Sequence, residues 1–380
     1  MGRSILHVYK TYYPDAFGGV QQAIRQIAIA TRVYGYCHSI YTLSPKPVPA
    51  ILEMPEGNIL RSRMKVSVAS CDIGGLDSFR KHREHTSRVD VVVYHFPWPF
   101  ADFLRFFSKR VKPAILVYHS DIVRQRWLEI LYRPLMWWML KSMNIIISTS
   151  PEYAISSPVL SHPSLRKKVR VIPLGIDEQM YPKDTDAGIF SRLGMDKDKP
   201  YFLFVGMLRH YKGLEFLIRA AKGMDAKVVI AGAGSQGDKL KKLAEGLGID
   251  NIVFAGSVTD AEKVSLMEYT RALILPSHLR SEAYGMVLVE ASMFGRPMIS
   301  CGIGTGTSYV NQHEVTGFVV PPSSPDALAA AMKKLLLDEN LSKKMGHAAR
   351  QRYEALFSGP ALGLAYSTLF EEVISAHDAE

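Results

Sequence analysis

ALILPSHLRSEAYGMVLVEASMFGRPMIS, residues 272–300, reads as strand, loop, helix, turn, strand. The apolar runs ALILPS (272–277) and PMIS (297–300) are strand candidates. The helix between them is expected to start near Gly285 and to stop at Gly295, before Pro297. Two carboxylates eight residues apart bracket its start: Glu282 in the loop after the strand, and Glu290 one to two turns into the helix. The first backbone N–H groups, from Tyr284 through Gly285 and Met286 to Val287, suit an anion. An anion cradle with a carboxylate on either side offers donors to a diphosphate and acceptors to hydroxyls, as a sugar nucleotide requires. The plain alternative is an ordinary crossover whose two glutamates are surface residues.

The alternation extends outward. YFLFVG (201–206), KVVIAG (227–232), NIVFAG (251–256) and FVV (318–320) are further strands, with helices expected at 213–223, 236–247, 260–270, 305–312, 324–337 and 340–355. The first half repeats the theme with SILHVY (4–9), HSIYTL (38–43), VDVVVYH (89–95), PAILVYH (113–119) and NIIIST (144–149). Short apolar strands alternating with helices predict α/β architecture with parallel, doubly wound sheets. At 380 residues two domains are expected, 1–175 and 176–358, joined near VIPLGID (171–177). Residues 359–380 form a closing helix after Ser358. The strands' carboxyl ends are expected to line a shared cleft.

The composition excludes several classes. Three scattered cysteines, Cys37, Cys71 and Cys301, form neither a disulfide framework nor a metal-ligand spacing, which suits a reducing, cytoplasmic setting. The N-terminal MGRSILHVYKTYYPD leads into a strand and is not expected to be a signal peptide or a myristoylation site. The longest apolar segment, Trp127 to Ile147, is interrupted by Glu129, Arg133 and Lys141 and is a poor membrane span. Charge is uneven: residues 1–175 carry 24 Lys and Arg against 11 Asp and Glu, whereas 176–380 carry 22 against 25. A basic half implies an anionic partner. No nucleic-acid signature is present, so an anionic membrane surface is the expected partner, through the N-terminal domain. The segment RQRWLEILYRPLMWWMLKSM (124–143) has the makeup of an interfacial amphipathic helix, or of a core helix with snorkelling basic residues.

Other constellations lie at strand ends. Arg209 and Lys212, in GMLRHYKGLEF (206–216), are two cations placed against a helix start, which makes sense if an anion sits there too. The alternative is two exposed surface cations. GAGSQG (232–237) matches GxGxxG but follows the second strand of its domain, so it reads as a tight turn near a nucleotide and not as a dinucleotide fingerprint. DAFGGV (15–20) opens a helix with Gly18-Gly19, where backbone can approach a ligand closely. His119 and His95 end strands, as cleft residues or as satisfied structural ones; His119-Ser120-Asp121 cannot be a hydrolase triad. Asp184-Thr-Asp186 and Asp196-Lys-Asp198 sit in a polar linker and read as chance DxD matches, so no metal is expected.

Together these motifs resemble the retaining glycosyltransferases of family 4, which have the GT-B fold of two Rossmann-like domains. The likeness spans nearly the whole chain: Gly18-Gly19, VIPLGID, Arg209 and Lys212, GAG (232–234), Gly256-Ser257-Val258, the Glu282 and Glu290 pair, and HEVTGFVVPP (313–322). SCGIGTGTSYVN (300–311) and HSDIVRQ (119–125) resemble a bacterial subgroup that uses GDP-mannose or GDP-D-rhamnose in surface polysaccharide synthesis. The resemblance implies that Arg209 and Lys212 bind the donor diphosphate and that Glu282 holds the transferred sugar. It implies that Glu290 holds the ribose, Val258 meets the base, and the amides of Tyr284 to Val287 meet phosphate. His119 would lie near the reacting sugar and Gly18-Gly19 near the phosphates. The acceptor would be a lipid-linked glycan or an oligosaccharide, and the enzyme peripheral on the inner face of the cell membrane, with no cofactor. One departure is Gly359-Pro360, where the family often has an aromatic residue. Rival readings are a sugar-nucleotide epimerase or phosphorylase of the same fold, and a non-catalytic sugar-nucleotide-binding scaffold.

Overall fold

The computed structural model describes residues 2–68, 71–108, 112–122 and 126–379, without the side chains of 126–130. Residues 123–125 of HSDIVRQ, and the Arg124, Arg126 and Trp127 side chains of the expected amphipathic helix, therefore lie outside the described residues. The chain divides into two units, Met1–Gly175 with Gly359–Glu380, and Ile176–Ser358.

The first unit is built on a nine-stranded sheet: β1 (Arg3–Val8), β2 (Tyr36–Ser44), β3 (Ile51–Met54), β4 (Gly57–Val68), β5 (Cys71–Gly74), β6 (Val91–Phe96), β7 (Ala114–Tyr118), β8 (Ile145–Ser148) and β9 (Val169–Val171). Its order is β3-β4-β2-β1-β6-β7-β8-β9, with β5 on β4. The pairs from β4-β2 through β8-β9 are parallel, while β3 and β5 run antiparallel to β4. Strands β6, β7 and β8 are buried throughout, as expected of parallel strands covered on both faces, and this is why they read as apolar runs. The helix Gly19–Arg32 buries Ala23, Ile24, Ile27, Ala28 and Thr31 along one stripe. The closing helix Gly359–Asp378 packs on it so tightly that a Cβ at Gly363 would stand 2.3 Å from the Ala30 carbonyl oxygen. Tyr36 fastens the closing helix by donating to Glu371 at 2.7 Å. Gly359-Pro360 thus begins a seated helix without the aromatic residue of the family pattern.

The second unit carries β10 (Tyr201–Val205), β11 (Lys227–Ala231), β12 (Ile252–Gly256), β13 (Ala272–Leu275), β14 (Met298–Cys301) and β15 (Gly317–Val320). All pairs are parallel, in the order β12-β11-β10-β13-β14-β15. This is the 3-2-1-4-5-6 order of a dinucleotide-type sheet, and its direction of winding reverses between β10 and β13. In the first unit the equivalent reversal falls between β1 and β6. Local chemistry sets the helix starts: Thr259 and Glu262 form a capping box, and Ser324 caps a helix that opens on Pro325.

Candidate active site

In an open α/β sheet the crevice lies outside the carboxyl ends of the strands at the winding reversal. In the second unit those ends belong to β10 and β13, and the loops after them hold Arg209, Lys212 and Glu282. Gly213 has φ +67, and a Cβ there would stand 2.2 Å from the Pro276 carbonyl oxygen, so only glycine lets the β10 loop lie against the end of β13. His278 N–H donates to the Tyr211 carbonyl at 3.0 Å and completes the stitch. The result is an ion pair between Lys212 Nζ and Glu282 Oε2, with the two side chains only 12% and 11% exposed. Ser277 Oγ donates to the same carboxylate oxygen at 3.0 Å. Arg209 is exposed and its guanidinium has no side-chain or backbone partner among the described residues. It lines a cavity of about 300 Å³ with His210, Arg219, Lys239 and Lys242.

The helix Met286–Met293 follows Gly285, whose φ of +83 turns the chain into it. A Cβ on Gly285 would press on Leu275 Cδ2 at 2.8 Å. The N–H groups of Gly285, Met286 and Val287 make no backbone hydrogen bond among the described residues. Tyr284 is buried, its ring against Gly306, where a Cβ would come within 2.4 Å. Glu290 accepts from the Tyr181 hydroxyl at 2.6 Å and is paired with Lys263 Nζ at 3.0 Å. Burial opposes the Lys263 charge, yet Glu290 and Asp260 together outweigh it and hold that ammonium above its usual range. Burial, then Glu290, drives the Tyr181 hydroxyl well above its usual range. Tyr181, Lys263 and Ser277 were not legible as site residues. Tyr181 lies in a polar linker and Lys263 on an ordinary capped helix, and neither carries a motif.

The glycine loop after β11 supports the β10 loop. A Cβ on Gly232 would lie 1.9 Å from the Gly206 carbonyl oxygen, and one on Gly234 2.5 Å from that of Leu208. Leu208 and Gln236 exchange backbone bonds with this crossing. Val258 sits half-buried in the loop between β12 and the helix Asp260–Tyr269. In the two DxD matches, Asp186 Oδ1 accepts from Gly188 N–H at 2.9 Å and Asp196 Oδ1 from Asp198 N–H at 3.0 Å. These are side chains bracing their own turns. Among the described residues no group of three His, Cys, Asp or Glu side chains converges as a metal site.

In the first unit, Gly18 is extended and Gly19 opens its helix, both exposed. A Cβ on Gly19 would meet nothing within 4 Å. Asp15, at the start of this loop, is paired with Arg61 of β4 at 2.9 Å. His119 follows β7 at the sheet's carboxyl edge, and His95 stands on β6, with His95 Nδ1 2.9 Å from His119 Nε2. Burial pushes the His119 imidazole down to about 3.

Residues 17–180 match the family model described as Glycosyltransferase Family 4, and residues 187–352 match Glycosyl transferases group 1. The chain is 43% identical to D-rhamnosyltransferase WbpZ of Pseudomonas aeruginosa, over 93% of this chain and 92% of that protein. It is 36% identical to O-antigen chain mannosyltransferase C of Escherichia coli, over 98% and 99%. The chain belongs to glycosyltransferase family 4. Sucrose-phosphate synthase from Thermosynechococcus elongatus superposes with a TM-score of 0.80 at 20% identity, over 98% of this chain and all of that one. HepE of Anabaena, solved in complex with UDP, gives 0.76 at 17% identity, over 97% of this chain and all of that one. The fold of this glycosyltransferase is GT-B. It is an enzyme that takes a nucleotide-sugar donor and a glycan acceptor. Among the described residues no helix is long and apolar enough to cross a membrane.

Proposed function

We propose that this family 4 enzyme transfers an α-linked hexose, mannose or D-rhamnose, from a GDP-sugar to a lipid-linked or oligosaccharide acceptor in bacterial O-antigen or related surface polysaccharide synthesis. Retention at the anomeric carbon and independence of metal belong to the same proposal. The observation that carries it is the Lys212–Glu282 pair at the winding reversal, beside the open N–H groups of Gly285 to Val287. The two relatives spanning nearly the whole chain, a D-rhamnosyltransferase and a mannosyltransferase, support the sugar assignment. In this reading Lys212, Arg209 and those amides, with that of Tyr284, take up the charge that grows on the leaving diphosphate. Glu282 holds sugar hydroxyls, Glu290 the ribose, and Val258 the base through its backbone. Gly18-Gly19 approach phosphate, and His119 meets a substrate hydroxyl. The leaving phosphate accepts the acceptor's proton, so no cofactor or dedicated base is required.

The test is a donor panel of GDP-mannose, GDP-D-rhamnose, UDP-glucose and UDP-N-acetylglucosamine, read by thermal shift and turnover, with the product anomer assigned by NMR. Turnover with a GDP-sugar into an α-linked product, persisting after EDTA treatment, is expected. Stabilisation by UDP alone, a β-linked product, or loss of activity on chelation overturns the matching part. Epimer formation without acceptor would replace transfer altogether.

The same reading sets the enzyme on the cytoplasmic face of the cell membrane through its basic first unit. The helix Arg126–Ser142 leaves Leu131, Arg133, Trp138 and Lys141 exposed, and Phe106 meets the Trp138 ring at 5.0 Å. Exposed apolar and basic side chains along one helix suit an anionic interface. Binding to anionic vesicles that weakens as salt rises is expected; absence of binding at every salt concentration refutes it.

A further inference from the structure

Four histidines stand in single file across the first unit's sheet. His38, His7, His95 and His119 come from β2, β1, β6 and the end of β7, adjacent strands in that order, and all are buried. His119 Nε2 lies 2.9 Å from His95 Nδ1, His95 Nε2 3.0 Å from His7 Nδ1, and His7 Nε2 3.1 Å from His38 Nδ1. The inner end, His38 Nε2, reaches the hydroxyl of Thr31 at 2.7 Å. Every link joins the Nε2 of one ring to the Nδ1 of the next, so the file has a direction.

That direction follows from proton counting. A neutral imidazole has one N–H and one lone pair. Thr31 has one hydroxyl proton and donates it to the Ile27 carbonyl 2.7 Å away, one helical turn back. Its oxygen is therefore the acceptor for His38, which must carry its proton on Nε2. His38 Nδ1 then accepts from His7, His7 Nδ1 from His95, and His95 Nδ1 from His119. The outer ring is left protonated on Nε2, with its lone pair on Nδ1. That nitrogen has no partner among the described residues.

The surroundings keep the file neutral. Burial pushes His38 and His119 down to about 3 and lowers His7 and His95 well below their usual value. The groups beside it are Arg32, which opposes a charge on His38, and the rings of Tyr9 and Phe370. A proton pushed inward would arrive at a hydroxyl already committed within its helix, so the file has no exit. It is built to hold a tautomer and not to conduct protons.

We propose that Thr31, His38, His7 and His95 are positioning residues that lock His119 as the Nε2–H tautomer, so that its Nδ1 accepts a hydrogen bond from a substrate hydroxyl. The lock follows from the geometry of the file; its use rests on the reading that His119 meets substrate. The wrong tautomer would present a donor where an acceptor is needed, the fault that a buried carboxylate prevents in hydrolase triads.

Long-range 1H–15N correlation spectra of the 15N-histidine-labelled enzyme distinguish the tautomers. Four neutral Nε2–H imidazoles at pH 7 are expected. His119 found as Nδ1–H, or charged at pH 7, overturns the lock, and this spectrum tests it whichever variants fold. Thr31→Val removes the inner acceptor without changing shape, whereas Thr31→Ser keeps it. The valine variant is expected to mix the tautomers of His119 and to lower kcat by roughly threefold to tenfold, the weight of one neutral hydrogen bond, while the serine variant stays near wild type. An unchanged His119 tautomer in Thr31→Val overturns the lock. Full activity in His119→Ala, with the wild-type spectrum as expected, instead overturns the contact with substrate, so the two failures are separable.

Discussion

Replacing Gly19 by alanine separates a glycine kept for a ligand from a glycine kept for the fold. Gly19 opens the helix Gly19–Arg32, outside the left-handed region, and a Cβ there would meet nothing within 4 Å. Gly213 is the contrast, with φ +67 and a backbone oxygen 2.2 Å from its would-be Cβ. At Gly19 the fold gains from alanine: the unfolded chain loses freedom, which stabilises by about 0.4–1 kcal/mol. For a unit of this size that raises Tm by roughly 1–4 °C. Function is expected to lose. If the backbone at Gly18-Gly19 approaches a donor phosphate, a methyl group there obstructs one charge-assisted hydrogen bond of about 1.5–3 kcal/mol. In kcat/KM for the nucleotide sugar this is a fall of roughly 10- to 100-fold. The four tryptophans, Trp98, Trp127, Trp137 and Trp138, all belong to the first unit, so their fluorescence follows its unfolding. A more stable enzyme with wild-type kcat/KM refutes the phosphate contact, and a less stable one refutes the open space at Gly19.

Lys212→Met strands a nearly buried Glu282, and in the proposed reading it also removes a cation from the diphosphate, so kcat is expected to fall by roughly 10²–10³ with a lower Tm; steady-state kinetics at wild-type level would exclude Lys212 from the site. Tyr181→Phe deletes the 2.6 Å bond to Glu290 and is expected to raise donor KM several-fold, by about 1 kcal/mol, with kcat little changed. A KM at the wild-type value would remove Glu290 from donor binding. Acid is expected to destabilise the first unit early. Burial holds His38, His82 and His119 to about 3, below their value in the unfolded chain, so protons bind the unfolded state first. Stability is then full above about pH 6.5 and falls with decreasing pH, at about 1.4 kcal/mol per pH unit for each such group; a urea midpoint by tryptophan fluorescence that is flat from pH 7 to 5 contradicts this.

Most of the second unit's strands were legible because burial on both faces leaves mainly apolar residues in them, and the half-buried edge strand β12 still keeps the apolar run Ile252 to Ala255. The same reasoning missed β4 of the first unit, whose Arg61, Arg63 and Lys65 break any apolar run. Arg61 is tolerated inside the sheet because Asp15 and Ser44 meet its guanidinium, partners that no local pattern announces. The site divides in the same way. Glu282, Glu290, Arg209 and Lys212 could be named from their places at strand ends and helix starts. Their partners could not: Lys212 reaches Glu282 only because Gly213 admits the end of β13, and Glu290 is held by Tyr181 and Lys263 from distant segments. The histidine file marks the limit most sharply. Each of four strand runs visibly contained a histidine, but along the chain they come in the order His7, His38, His95, His119. Only the sheet order β2-β1-β6-β7 puts His7 between His38 and His95 and makes one file with a direction. The residues to which the proposed chemistry is assigned are therefore written locally, while their partners are written in the strand order, and a variant such as Thr31→Val acts on the second without touching the first.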